Sequence, residues 1–488
     1  MPATCPSPTP KRRPTRHSIP AVLMRSGTSK GLFLHRAALP AAESHWAGPL
    51  LAIMGSRHRD ARQLDGVGGA SSVTSKVAVV APSRRPGVHV DYTFVQVAVG
   101  SESVDLSGNC GNMCAGVGPF AVQEGLVTVP LGARAVDVRI FNTNTQRLVE
   151  VTVEVDEDGD VVEDGEYHIP GVKAPGSEIR VAFVEPAGSM TGRLFPSGRR
   201  SETIRLGAPI AGATAAGLSV PPFDVDVTLV DAANPFVVVD AETLPASVRG
   251  QPRDSPLALE VAEAIRRAGA VRMGLAASVE AAARVRGTPK LAYVSRPVPP
   301  SPLPLSKPST DGSFLVTPDD IPSVAAPADI QILAYSMGKP HPSLQLTGGV
   351  CLASAVTVEG TVAHRLSTQK GRGKSELPFH DDVALPPTPR RTPSPSSSIS
   401  TSDSSLVSGA TKPTEDLPGG LLGVKRRVVR LAHDSGVMEV ETWTRPAGEA
   451  EEPVIERCVI SRTARRLFEG NVLYYAEYPY ECDGHGAT

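Results

Sequence analysis

A cysteine in a loop of glycine and asparagine is the residue of this sequence best suited to chemistry. Residues 107–115 have the sequence SGNCGNMCA and lead into an apolar run of small residues, 115–122, that predicts a buried helix. Cys110 would lie at the helix N-terminus, where free N–H groups and the helix dipole stabilise a thiolate or a bound carboxylate. The alternative is a small buried thiol in a tight turn. The flanking glycines and asparagines favour a ligand site, because such turn residues let the backbone approach a ligand.

A lysine opens an apolar strand after a second glycine-rich loop. Residues 65–76 have the sequence DGVGGASSVTSK, and the strand-like run 77–80 follows directly. The hydroxyl groups of Ser71 and Ser72 could bind an anion, and Lys76 could act as a general base. The alternative is a solvated lysine that merely precedes the strand.

Three shorter loops contain further candidates for substrate binding. Residues 24–31, MRSGTSKG, combine hydroxyl groups and cations that could hold a carboxylate, although an ordinary polar hairpin turn is the alternative. The spacing is not that of a phosphate-binding P-loop. The loops 337–343, MGKPHPS, and 432–438, AHDSGVM, each contain a histidine. A lone histidine is more often structural than catalytic, so these loops need independent support.

The segments around these loops predict many strands and few helices. Valine-rich runs predict strands, and small-residue or amphipathic runs predict helices. One small-residue apolar helix in each half favours a sheet wrapped around a central helix. If the halves are duplicates, both helix N-termini could face one cleft and bind an anion with a carboxylate at each end. The predicted strands are 77–80, 92–99, 136–141, 148–155, 224–230 and 236–240, and the predicted helices are 115–124, 257–269, 344–356 and 463–468.

Length and composition indicate two domains and several insertions. We expect a disordered tail at 1–17, a first domain at 18–200 and a second at 201–475 within the 488 residues. The second domain would include a Pro-rich connector at 296–310 and a disordered low-complexity insertion at 365–418.

Charge, hydropathy and cysteine content exclude several classes of partner. The formal net charge of −2 gives no basic face for nucleic acid. No apolar run approaches the roughly 18 residues of a membrane helix. The six cysteines are scattered along the chain, which is typical of proteins in a reducing compartment. None of them lies near a second Cys or His pair at the spacing of zinc ligands. We therefore expect a cytoplasmic protein without a metal, and the basic tail leaves a mitochondrial location open.

Taken in order, these motifs resemble those of the PrpF family of methylaconitate-type isomerases. Family members share an M-R-x-G-T-S-K-G opening, a D-G-x-G-G-A-x-S-x-T-S-K-V loop and an N-C-G-N-x-x-x-x-V-G-P-F-A helix start. They also share G-K-x-H and H-x-S-G-V-M motifs and an R-T-A-R-R-L-x-x-G close. Here the motifs occupy 24–31, 65–77, 109–121, 338–341, 433–438 and 462–470, and the resemblance spans about 18–475.

The resemblance implies an α+β, diaminopimelate-epimerase-like fold with two similar domains. Each domain would be a curled, mostly antiparallel β-sheet around a central helix, with the active site between the domains. It also implies isomerisation of a small unsaturated di- or tricarboxylate, of the aconitate or methylaconitate type, without cofactor. Lys76 and Cys110 would be catalytic, and which of them removes the proton stays open. The candidate substrate-binding residues are Arg25, Ser26, Thr28, Ser71, Ser72, Asn109, Gly111, Asn112, Lys339, His341 and Ser435.

One departure from the wider fold disfavours a racemase with two thiols. The amino-acid racemases of this architecture have a cysteine at each helix N-terminus, whereas Cys351 lies inside the second predicted helix. Two other functions stay open: an isomerase of secondary metabolism acting on a citrate-derived alkyl diacid, and a non-catalytic carboxylate-binding protein. A homodimer also stays open.

Overall fold

The structure is a computed structural model. It describes residues 15–207, 210–211, 219–297, 327–367, 424–445 and 453–476. Residues 1–14 of the predicted tail, the predicted connector from 298 and the predicted insertion from 368 lie outside the described residues. Strand formation begins at Thr15, three residues before the predicted start of the first domain.

The described residues form twenty strands and seven α-helices. The strands are β1 Thr15–Ser26, β2 Ser29–His35, β3 Lys76–Pro82, β4 Val90–Val97, β5 Val104–Asp105, β6 Ala135–Asn142, β7 Arg147–Glu154, β8 Ile179–Val184, β9 Glu202–Leu206, β10 Ile210–Ala211, β11 Ser219–Val220, β12 Phe223–Asp231, β13 Pro235–Asp240, β14 Lys290–Ser295, β15 Ile330–Ser336, β16 Lys339–Pro340, β17 Lys425–His433, β18 Gly436–Arg445, β19 Val454–Arg462 and β20 Ala464–Ala476. The helices are α1 Ala47–Met54, α2 Gly111–Gln123, α3 Ala246–Arg249, α4 Pro256–Arg272, α5 Val279–Arg284, α6 Leu346–Thr357 and α7 Val362–Leu366.

The two halves of the chain repeat one topology. In the first half β1 is antiparallel to β2, β2 is parallel to β3, and β3 is antiparallel to β4. Strand β4 then runs parallel to β6, which continues through β7 to β8 in antiparallel order. The second half repeats this order of antiparallel and parallel pairs in strands β12, β13, β14, β15, β17, β18 and β19. Antiparallel pairing of β8 with β19 joins the halves, so the predicted α+β fold of two similar domains is confirmed.

Each half wraps its sheet around one central helix. The first twelve residues of α2 are all buried, and the helix contacts β1, β2, β3, β6 and β7. Helix α6 is buried from Leu346 to Val356 and contacts β12, β13, β17, β18 and β19. A helix that is apolar on every side is stable only inside a core, which explains why the sheets curl around these two.

The last described strand corrects one prediction. The segment 463–468 was predicted as a helix, but Ala464–Ala476 forms β20 and pairs antiparallel with β1 over its whole length. Residue pairing reaches from Ser26↔Ala464 to Thr15↔Ala476, so long-range hydrogen bonds override the local helical pattern. Because β1 belongs to the first half, β20 extends the sheet of the first half, although its residues fall within 201–475, the range predicted for the second domain.

A buried arginine braces the loop that enters β14. Arg266 on α4 pairs with Glu263 at 2.7 Å and is only 4% exposed. Its guanidinium also donates to the carbonyl oxygens of Ala282, Val285 and Thr288 at 2.7, 3.1 and 3.3 Å. One side chain thus satisfies three backbone acceptors and fixes the path of the chain into the strand.

Among the described residues, no helix is long and apolar enough to cross a membrane.

Candidate active site

Cys110 is the N-cap residue of α2. Its carbonyl oxygen accepts hydrogen bonds from the Cys114 N–H at 2.9 Å and from the Tyr92 hydroxyl at 3.3 Å, so the backbone at the thiol is held firmly. Of the four cysteines in the described part of the chain, Cys110 alone is not fully buried. The predicted placement of a reachable thiol at a helix N-terminus is confirmed.

The N-termini of the two central helices meet. A Cβ atom on Gly111, the first residue of α2, would lie 2.6 Å from Leu346 Cδ2, and Leu346 is the first residue of α6. The same atom would lie 3.0 Å from Phe183 Cζ. The positive ends of both helix dipoles are therefore directed at one place, which is a favourable environment for an anion.

Replacing Gly111 by alanine is expected to lower kcat/KM about 10-fold, because the added methyl group displaces the Leu346 and Phe183 side chains that pack where the two helix N-termini meet. Steady-state kinetics would measure this, with circular dichroism to verify folding. Gly250→Ala is the matched control, since a Cβ there meets its nearest neighbour at an ordinary 3.6 Å. Equal losses in the two variants would contradict the prediction.

A small cavity of about 40 Å³ lies at this junction and is lined from both halves. Seven of the predicted site residues line it: Ser72, Lys76, Asn109, Cys110, Gly111, Asn112 and His341. A wider cavity of about 740 Å³ shares Ser72, Gln96 and Asp105 with it and is also lined by the predicted residues Ser71 and Lys339. We call these two spaces the inner cavity and the outer cavity. The outer cavity adjoins the inner one and is large enough for a small organic ligand.

Lys76 is held over the inner cavity by a neutral partner. Its ammonium donates to Gln96 Oε1 at 2.8 Å and lies 4.9 Å from the centre of the Phe94 ring. The Gln96 amide cannot turn freely, because its Nε2 donates to the carbonyl oxygens of Ser72 and Ser75 at 3.1 and 2.9 Å. The lysine is 8% exposed. Because Gln96 is neutral, it does not compensate the charge of the lysine, which stays available to a ligand.

His341 contributes an uncharged ring to the inner cavity. Burial lowers the pKa of His341 to about 3, although the hydrogen bond with the Ser343 backbone opposes the shift. Its Nδ1 lies 2.8 Å from the Ser343 carbonyl oxygen. At neutral pH the ring therefore cannot supply a positive charge to a carboxylate.

Lys290, the first residue of β14, is a site residue that the sequence predictions missed. It lines the inner cavity, and the residue is half-buried. Burial, with a smaller contribution from the charge of Lys76, lowers the pKa of Lys290 to about 8. A usable signal existed, because Lys290 opens an apolar strand just as Lys76 does.

Several predicted binding residues instead fix the backbone around the site. Arg25 Nη1 donates to the Thr463 carbonyl oxygen at 2.9 Å, and the Ser26 hydroxyl donates to the Asn112 carbonyl oxygen. Asn112 Nδ2 in turn donates to Thr28 Oγ1 at 3.0 Å. Each of these side chains makes at least one hydrogen bond within the protein, and Arg25, Ser26 and Thr28 line neither cavity.

Ser435 is also outside both cavities. Its hydroxyl donates to the Pro342 carbonyl oxygen at 2.7 Å and so fixes the loop that contains His341.

Two amide oxygens at the inner cavity have no partner in the described part of the chain. Asn109 Oδ1 and Gln345 Oε1 are buried and accept no hydrogen bond. Both residues line the inner cavity. Unpaired buried acceptors cost stability and are often retained at ligand sites. Among the described residues, no group of three His, Cys, Asp or Glu side chains is placed to hold a metal ion.

The chain is similar to a family of known proteins over most of its length. The family model described as "PrpF protein" matches residues 16–384. The 3-methylitaconate isomerase of Eubacterium barkeri is 34% identical over 363 residues, which are 72% of this chain and 85% of the relative. The 2-methyl-aconitate isomerase of Shewanella oneidensis is 33% identical, over 72% of this chain and 84% of the relative. A crystal structure of a methylitaconate-delta-isomerase superposes with a TM-score of 0.58 at 28% identity, covering 94% of this chain and 96% of that chain.

Proposed function

Since this chain belongs to the PrpF family, we propose that it moves or isomerises the C=C bond of a small unsaturated di- or tricarboxylate of the aconitate or methylaconitate type. The observation that carries the proposal is the convergence of Lys76 and Cys110, from separate elements, on one cavity at two helix N-termini. The relatives named for methylaconitate and methylitaconate support the choice of substrate class.

The arrangement suits proton transfer along an allyl system. Removal of a proton from a carbon next to the double bond gives a dienolate whose negative charge spreads onto a carboxylate. The ends of α2 and α6 would stabilise this charge, because their N–H groups are already oriented and need no reorganisation. Lys76 and Cys110 would take the proton at one carbon and return one at the other. This route requires no covalent bond between enzyme and substrate.

Proton NMR in D2O tests the proposal. Purified protein would be incubated with cis-aconitate, 2-methylaconitate and an alkyl-substituted diacid in parallel. We expect a new isomer and deuterium at the allylic carbon for at least one of them. Neither change in any of the three would overturn the proposed function.

Cys110→Ser is expected to lower kcat about 10²- to 10⁴-fold, because a hydroxyl group exchanges protons far less readily than a thiol near neutral pH. The rate of deuterium uptake at saturating substrate measures the effect. Cys114→Ala is the matched control, since burial raises the pKa of Cys114 above its usual value and removes it from proton exchange. A serine variant with wild-type turnover would remove the thiol from the mechanism.

A further inference from the structure

Lys76 and Lys290 occupy equivalent positions in the two halves. Lys76 is the first residue of β3, which runs parallel to β2 and antiparallel to β4. Lys290 is the first residue of β14, which runs parallel to β13 and antiparallel to β15. Since β3 and β14 correspond in the repeated topology, each half delivers one lysine to the inner cavity from the same point of its fold.

The two lysines differ in what surrounds their ammonium groups. Lys76 donates to Gln96 on the neighbouring strand. In the second half Ser336 takes the place that Gln96 has in the first. Ser336 follows the β15 residue that pairs with Leu291, and Leu291 directly follows Lys290. Within the described part of the chain the Lys290 ammonium forms no hydrogen bond and no ion pair. An ammonium group with free donors at a cavity wall is suited to bind an anion.

We propose that Lys290 binds one carboxylate group of the substrate from the second half, while Lys76 and Cys110 act on the allylic protons from the first. The identity of the ligand as a multiply charged carboxylate rests on the proposed function. The placement of Lys290 rests on the geometry of the inner cavity alone. A ligand held by residues of both halves would also keep the two domains together.

The other charged groups near the inner cavity cannot take this role. Asp105 carries a negative charge, and its carboxylate already accepts from the Ser107 N–H at 2.8 Å and the Gly287 N–H at 3.1 Å. His341 is uncharged at neutral pH because burial lowers its pKa to about 3. Lys339 lines the outer cavity only. Lys290 is therefore the cation that the second half supplies among the described residues of the inner cavity.

Both halves hold the loop that precedes Lys290. Asp105 of the first half binds the Gly287 N–H so closely that a Cβ on Gly287 would lie 2.2 Å from its Oδ2. The hydroxyl groups of Ser107 and Thr288 are 3.2 Å apart, across the boundary between the halves. Behind the loop Arg266 donates to the Thr288 carbonyl oxygen. The lysine is thus fixed in position before a ligand arrives, which limits the entropy lost on binding.

The environment of Lys290 makes its charge dependent on pH. Burial lowers its pKa to about 8, and the charge of Lys76 adds to this, whereas Cys110 and Asp105 oppose it. His341 is the further titratable group across the inner cavity. The charged residues behind Lys290 are Glu263, Arg266 and Arg286. A buried ammonium without a compensating acceptor destabilises the fold, as is common for groups kept for function.

Calorimetric titration with propane-1,2,3-tricarboxylate, a saturated tricarboxylate that cannot isomerise, tests the proposal. We expect Lys290→Met to weaken binding at pH 7 about 10- to 100-fold. Wild-type affinity should fall as the pH rises through about 8, and Lys290→Arg should retain binding above that pH because a guanidinium stays charged. Lys425→Met is the control, since Lys425 is an exposed lysine at the start of another second-half strand, β17.

Thermal unfolding separates ligand binding from a structural role. If the charge of Lys290 binds a ligand at a cost in stability, Lys290→Met should unfold at a higher temperature than the wild type below about pH 8. This gain should vanish near pH 10, where the unfolded lysine also loses its proton. A lower unfolding temperature would mark a structural residue and overturn the proposal. Unchanged affinity in Lys290→Met, or no binding of the probe to the wild type, would overturn it too. Probe binding without deuterium exchange on any substrate would instead overturn the proposed function and leave the role of Lys290 intact.

Discussion

Replacing Lys76 by alanine is expected to lower kcat about 10²- to 10⁴-fold, the range in which a positioned acid or base contributes. The substitution removes the only amine that the first half places in the inner cavity among the described residues. It leaves the Gln96 amide fixed by Ser72 and Ser75, so the shape of the site should survive. Turnover at saturating substrate, followed by NMR, measures the loss.

Chemical rescue distinguishes a proton-transfer role from a packing role. The alanine variant leaves a space beside Phe94 and Gln96 that a small primary amine can enter. Methylamine should restore part of the rate in Lys76→Ala and none in Cys110→Ser. Lys173→Ala, at an exposed loop position, serves as the control. Full activity of Lys76→Ala without added amine would refute the assignment.

Replacing Arg266 by methionine is expected to lower the free energy of unfolding by about 3–5 kcal/mol, as for the loss of one partner of a buried ion pair. Three carbonyl groups and one carboxylate lose donors at the same time. Urea unfolding at pH 7, analysed by linear extrapolation, would measure the change.

The neighbouring residue provides a matched control for this substitution. Arg267 binds the same Glu263 carboxylate at 2.7 Å, but its side chain is 38% exposed. Arg267→Met should therefore cost less than about 1 kcal/mol. If the two variants lose equal stability, the backbone contacts of Arg266 contribute nothing, and the bracing of the β14 entrance would be refuted.

The sequence was sufficient to locate Cys110 and Lys76 because both signals are local. A turn before an apolar helix places a residue at the helix N-terminus, and a lysine before an apolar strand lies at the N-terminal end of that strand. The meeting of α2 with α6 was also foreseeable, since two similar loops enter two similar helices. The distance between the two helices depends on Gly111 and Leu346 and could only be seen in three dimensions.

The polar residues of the loop between β1 and β2 show how one pattern can serve two purposes. Hydroxyl groups and cations near a glycine can bind a ligand or can satisfy the backbone of another segment. Ser26, at the end of β1, does the latter because its hydroxyl donates to the Asn112 carbonyl oxygen, and Thr28 Oγ1 accepts from the Asn112 side chain. Lys290 also opens an apolar strand, but no glycine-rich loop precedes it to draw attention, and its correspondence to Lys76 becomes clear from the repeated topology.

Local propensity also failed at the end of the chain. The segment 463–468 has a helical pattern, but β1 pairs with twelve of the thirteen residues of β20. Because β1 is more than 430 positions away in the sequence, the residues of 463–468 do not indicate this pairing.

The pairing of β1 with β20 has a consequence for the order in which the chain folds during synthesis. Thr15 and Ala476 are partners, so the first of the two domains lacks one strand until residues 464–476 have left the ribosome. During that time the edge of β1 is open to pairing with other chains. A chain that ended before residue 464 would retain every catalytic candidate and still be unable to close its first domain. Of these two domains, the one synthesised first is therefore completed after the other.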